Sequence, residues 1–157
     1  MEKIISIEEV YGLKLSHIGT SNERARVGMV QMMNALFSGY GSYDGYKIKT
    51  SEHEYMILID NGQCCCESWG YFSSDDDFAR FIGKKLLSVE CTDTALNTQK
   101  VEETAPYGFE CGGIQFVDFK MSDGSVLQFA VYNEHNGYYG HPIIIAKDED
   151  VLLSDTL

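Results

Sequence analysis

Two dipeptides, Asn61-Gly62 and Asp123-Gly124, each lie between two segments that read as strands, and this constrains the chain more than any other feature. Asn-Gly and Asp-Gly readily supply the positive φ that tight β-hairpin turns require. Residues 54–60 and 63–70 are therefore expected to pair through a type I′ turn at Asn61-Gly62, and residues 114–121 and 126–133 through the second dipeptide. Side chains alternate faces along a strand, so Cys64 and Cys66 should point together and Cys65 away. Further strands are expected at residues 85–91 and after Pro142, where Ile143, Ile144 and Ile145 follow one another.

Helical signals are fewer. Ser21 can cap a helix in which Ala25, Met29, Met32, Met33, Leu36 and Phe37 recur at helical spacing until Gly39, with the Met-rich stripe facing the core. Asp75, Asp76 and Asp77 precede Phe78, Ala79, Phe81 and Ile82, which predicts a second helix with acidic groups at its N-terminus and Gly83 as its stop. Ser6 and Glu9 make a capping box, predicting a helical turn that feeds a strand through Leu13, Leu15 and Ile18. Residues 39–50 read as a loop entering a strand, residues 92–113 as a long loop, and the chain from Lys147 as an exposed tail. The expected fold class is α+β: an antiparallel sheet of hairpins with about two helices packed on one face. At 157 residues, one domain spanning 1–157 is expected.

Lys and Arg number 12 against 24 Asp and Glu, a formal charge of -12. Such a chain repels a phosphate backbone, so direct nucleic-acid binding is excluded as the leading function, whereas a basic protein surface would attract it. The runs Asp75, Asp76, Asp77 and Asp148, Glu149, Asp150 are the candidate contacts. Apolar anchors would come from Tyr40, Tyr43 and Tyr46. No segment approaches the ~20 apolar residues that span a bilayer, and no basic-then-apolar leader opens the chain, so a cytoplasmic protein is expected.

Five cysteines are an odd number, and the adjacent Cys64, Cys65 and Cys66 suit a metal or free thiols better than a disulfide framework. His135 and His141 flank a short turn, and with two of the cysteines they would complete a tetrahedral zinc set. His53, Cys91 and Cys111 are reserve ligands, and His17 has no assigned role. The alternative is that the cysteines are small buried apolar residues. The same groups admit a catalytic version, a nucleophilic Cys activated by His135 or His141 and oriented by Glu67, Asp118 or Glu134. No nucleophile elbow, phosphate-binding glycine loop or other catalytic motif accompanies it, so the expectation is a binding protein and no enzyme. Trp69 reads as a lid over the core.

Cys65-Cys66-Glu67 and, far downstream, Asn136-Gly137-Tyr138-Tyr139 resemble a family of short phage and bacterial proteins known as a domain of unknown function, from about residue 60 to 145. A small acidic protein with this signature is also similar to the anti-CRISPR proteins of streptococcal prophages. That resemblance implies an inhibitor acting in the host cytoplasm, which binds Cas9, prevents loading of target DNA and carries structural Zn2+. The competing readings are a zinc-dependent hydrolase and a phage structural or assembly protein.

Overall fold

The computed structural model describes residues 1–14 and 41–157. Among these are nine strands: β1 (Ile4–Lys14), β2 (Ser42–Thr50), β3 (Glu54–Asp60), β4 (Ser68–Ser73), β5 (Leu86–Thr92), β6 (Cys111–Met121), β7 (Val126–His135), β8 (Pro142–Lys147) and β9 (Asp150–Thr156). They form two antiparallel sheets, a five-stranded one in the order β1-β2-β3-β8-β9 and a four-stranded one in the order β4-β7-β6-β5.

Period-two alternation explains how the sheets stack. Tyr46, Ile48, Tyr55, Ile57, Ile59, Ile143 and Ile145 from the larger sheet share one buried cluster with Val117, Phe119, Met121, Leu127, Phe129 and Val131 from the smaller. Phe119 meets Phe129 and Tyr55 edge-on, each at 5.3 Å between ring centroids, which joins the layers with favourable aromatic geometry. Tyr43, Met56, Leu58, Ile144 and Ala146 form a second buried cluster. They alternate with the first set along β3 and β8, so these strands are buried on both faces and read as nearly unbroken apolar runs, whereas β2 carries the half-buried Lys47 and the exposed Lys49. Full burial of each such isoleucine or leucine contributes roughly 1.5–3 kcal/mol before entropic costs.

The architecture is therefore a two-sheet β structure, which corrects the α+β expectation. The described residues hold one α-helix, α1 (Thr98–Thr104), capped by the Asn97 side chain on the Lys100 amide, and it lies inside the expected 92–113 loop. The segment after Asp77 makes only a single 3-10 turn, Phe78–Arg80, because the Asp75 carboxylate turns inward to the Asp77 amide and pairs with Arg80. The capping-box residues Ser6 and Glu9 lie in β1, paired with Lys49 and Tyr46. Ile4, Ile5, Ile7 and Val10 favour that extended state. The helix expected over residues 21–39, with its methionine stripe, lies outside the described residues, as do His17 and Tyr40.

Asp123-Gly124 forms its hairpin, with Gly124 at φ +90° and the Met121 amide donating to Ser125 O at 2.8 Å. Asn61-Gly62 does not. Neither residue has the positive φ that a type I′ turn requires. The Asp60 carboxylate caps the Gly62 amide at 2.8 Å, Asn61 Nδ2 reaches Asp44 Oδ1 at 2.9 Å, and the chain leaves the sheet. It re-enters the other sheet as β4, beside β7. The tail expected from Lys147 is mostly strand β9, with Val151 and Leu153 half-buried while their neighbours face outward.

Candidate functional site at the cysteine end

Loop 61–67, the residues after β7, and the ends of β6 and β9 meet at one end of the sandwich. Glu67 organises the meeting. Its carboxylate accepts from the Cys64 amide at 3.0 Å, the Cys65 amide and Gln63 Nε2 at 2.8 Å each, and His141 Nε2 at 2.8 Å. Burial alone would raise its pKa, but the Cys65 amide, His141 and the Cys64 amide outweigh that and hold it at about 2. The side chains of both His141 and Glu67 are almost entirely buried. His141 Nδ1 lies 2.6 Å from Asp60 O, so both ring nitrogens face oxygen acceptors, and the doubly protonated ring is the form that donates to both. Trp69 stacks on this imidazole at 5.4 Å and 20°, with its Nε1 donating to Gln63 Oε1 at 2.7 Å.

His135, at the end of β7, is held differently. Its Nδ1 accepts from the Gly137 amide at 2.9 Å and the Tyr139 amide at 3.4 Å, which places the ring proton on Nε2. Across from it Gly112 has φ +85°, and a Cβ there would sit 2.3 Å from Asn133 O and 2.9 Å from the His135 ring. Only glycine lets the ring lie so close to β6. His135, Gly112, Gly137, Tyr138, Thr156 and Leu157 line most of a cleft of about 370 Å³.

Cys64, Cys65 and Cys66 are all exposed, which corrects both the expected alternation on a strand and the alternative of buried cysteines. Cys65 sulfur accepts from the Cys66 thiol and from the Tyr139 hydroxyl, and each bond raises the pKa of its donor. The two motif segments therefore touch through Cys65 with Tyr139, and Glu67 of the first reaches His141, two residues beyond the second. The five residues expected to hold zinc are not gathered into one ligand set. His141 is committed to Asp60 and Glu67, and the Nδ1 of His135 to two amides. Among the described residues the one group of three donor atoms within 4.8 Å of one another is Glu2, Glu52 and His53, at the opposite end. Of the reserve ligands, Cys111 begins β6 opposite His135, and Cys91 is exposed on the edge strand β5, where partial desolvation raises its pKa.

The acidic runs are exposed in large part but not bare. Asp75 pairs with Arg80 and Asp76 with Lys100, each at 2.6 Å, and the Lys100 hydrogen bond lowers the Asp76 pKa. Asp148, in the β8–β9 turn with Glu149 and Asp150, holds His53 Nδ1 at 2.5 Å and the Glu54 amide at 2.8 Å. Tyr43 and Tyr46, expected as contact anchors, are buried in the core clusters, and the strongly exposed tyrosines among the described residues are Tyr11, Tyr107 and Tyr138. Sequence reasoning misses Asp60 and leaves Glu67 as one of three groups that could orient His135 or His141; the structure pairs Glu67 with His141. The signal was a glutamate in the first motif segment and a histidine just after the second, each needing a partner if buried.

Fold and site define an acidic two-sheet β protein whose motif loops close over a buried imidazole–carboxylate pair. The chain belongs to the family described as a domain of unknown function (DUF7448), which matches residues 3–145. It is 31% identical over 99 residues to an uncharacterized protein of Acanthamoeba polyphaga mimivirus, covering 62% of this chain and 73% of that protein. No solved structure matches it. Among the described residues no helix is long and apolar enough to cross a membrane.

Proposed function

We propose that the protein acts by binding a partner through a basic surface of that partner, without catalysing a reaction. The observation that carries this reading is the excess of 24 acidic over 12 basic side chains, which steers association towards positive surfaces. The site supports it from the other side. A thiol nucleophile needs an imidazole base, and His141 is spent on Asp60 and Glu67 while His135 Nδ1 is spent on the Gly137 and Tyr139 amides. The nucleophilic-Cys reading draws no support from such an arrangement, and among the described residues the zinc-dependent hydrolase lacks a gathered Cys and His ligand set at this end.

The narrower form is a viral inhibitor of Cas9 that occupies the channel for the guide and target heteroduplex. Its support is the charge, which suits a channel built to hold phosphates. A gel-shift of guide-loaded streptococcal Cas9 on target DNA tests it: loading should fall as the protein is added, and E149K/D150K should slow association and weaken inhibition. Normal loading and cleavage refute Cas9 as the partner. The wider reading fails separately if binding to captured partners does not weaken between about 0.05 and 0.5 M salt, over which the Debye length falls to a few ångströms.

A further inference from the structure

We propose that Glu2, Glu52 and His53 form a binding site for a divalent transition ion of the Zn2+ class, independent of the partner-binding function. The three come from two places, Glu2 just before β1 and Glu52 and His53 in the β2–β3 turn, yet their donor atoms lie within 4.8 Å of one another. Thr50, only 4% exposed, ties them together: its Oγ1 accepts from the Glu52 amide at 3.2 Å and the His53 amide at 2.9 Å, and donates to Glu2 Oε2. Tyr55 O–H donates to the other Glu2 oxygen at 3.0 Å.

The histidine distinguishes this group from an ordinary acidic surface. His53 Nδ1 donates to Asp148 Oδ2 at 2.5 Å, which leaves the Nε2 lone pair for a metal. Asp148 is itself fixed, since its Oδ1 accepts from the Glu54 amide at 2.8 Å and its own amide donates to Glu54 O at 2.6 Å. A carboxylate on the far nitrogen is the usual way a ligating imidazole is oriented and made more basic. Among the described residues, no Lys or Arg ion pair neutralises Glu2 or Glu52. One imidazole and two carboxylates suit Zn2+ with a water in the fourth position, whereas Ca2+ and Mg2+ prefer all-oxygen shells of six or more. A bound ion would clamp the residues before β1 to the β2–β3 turn, and Glu2 O already bonds the Leu86 amide of the other sheet at 2.8 Å.

The test is calorimetric titration of Zn2+ into the protein with Cys64, Cys65, Cys66, Cys91 and Cys111 all changed to Ser, so that thiols cannot compete. Mn2+, which thiols bind poorly, is added in parallel to the unaltered chain and read by paramagnetic broadening of the His53 ring signals. One ion per chain is expected. E52Q and H53Q should each weaken binding more than ~10-fold, and D148N, a positioning change, by about 10–100-fold. At ~100 times the dissociation constant, Zn2+ should raise the thermal midpoint by about 5–10 °C, an increase that E52Q should lack at the same concentration. The proposal is overturned by absence of uptake at millimolar ion, by unchanged affinity in E52Q and H53Q, or by Ca2+ or Mg2+ binding as tightly as Zn2+.

Discussion

Replacing Glu67 by Gln removes the charge from a buried pair while keeping its shape, and two lines of reasoning give the size of the effect. The first is linkage: the Glu67 carboxyl moves from the ordinary 4.5 to about 2 on folding. At about 1.4 kcal/mol per unit, that shift corresponds to ~3 kcal/mol of stability at neutral pH. The second is that breaking a buried pair by removing one partner costs roughly 3–5 kcal/mol. E67Q should thus lower stability by about 3 kcal/mol at pH 7, a fall of ~6–12 °C in thermal midpoint for a chain of this size. The sign with pH follows from a depressed folded-state pKa: the contribution is complete above about 4.5 and is lost as pH falls towards 2, with ~2 kcal/mol gone by pH 3. Urea unfolding of both proteins at pH 7, 5 and 3 measures it, because the difference between them removes the other acidic groups. The gap should shrink on acidification. A gap under ~0.5 kcal/mol at pH 7, or one that stays constant down to pH 3, refutes the reasoning.

Further outcomes follow from neighbouring geometry. Cys66 is held above its ordinary pKa chiefly by its hydrogen bond to Cys65, so C65A should speed alkylation of Cys66 at pH 8, followed by mass spectrometry; an unchanged rate counts against the bond. A Cβ on Gly45 would lie 1.9 Å from Ile57 O at φ +153°, so G45A should cost roughly 3–5 kcal/mol in urea unfolding. Gly124 has φ +90° with nothing within 4 Å of an added Cβ, so G124A should cost only ~1–2 kcal/mol, and equal losses at the two sites would contradict the role given to the Ile57 contact.

Local chemistry made part of the fold legible. Asp123-Gly124 predicted its hairpin because everything that turn needs is within five residues: the glycine, and the Asp123 carboxylate that accepts from the Ser125 amide. Strands β3, β5 and β8 were likewise readable from short apolar runs. Asn61-Gly62 misled because the decisive partners are distant. Asp60 presents its carbonyl to His141, 81 residues away, and Glu67 turns inward for the same imidazole, 74 residues away. The helix expected after Asp77 shrank to a single turn because Asp76 pairs with Lys100 of α1 and Asp75 with Arg80. The zinc set was assembled on the assumption that the cysteines lie on a strand, and a loop pinned by Glu67 carries them instead. Strand β9 was legible in the alternation of Val151 and Leu153, but the surrounding acidic residues disguised it as a tail.

The wiring of the two motif segments changes what such a signature can mean. Glu67 satisfies a buried histidine and two loop amides; Cys65 takes the Tyr139 hydroxyl; Gly137 donates its amide to His135 and leaves room beside Cys111 Sγ, 3.7 Å from where its Cβ would be. Each of these residues has a mechanical duty in closing one end of the sandwich, and a buried ion pair adds specificity of closure more readily than net stability. A chain that carries this signature together with Asp60 and His141 has the groups for the same closure, whereas a shared partner does not follow from it. The groups that can vary in function lie outside this closure: the exposed Cys64 and Cys66 side chains, Tyr138 over the cleft, the β8–β9 acidic turn, and the Glu2, Glu52 and His53 group at the far end. Differences in partner or ion preference among members of the family should track those positions.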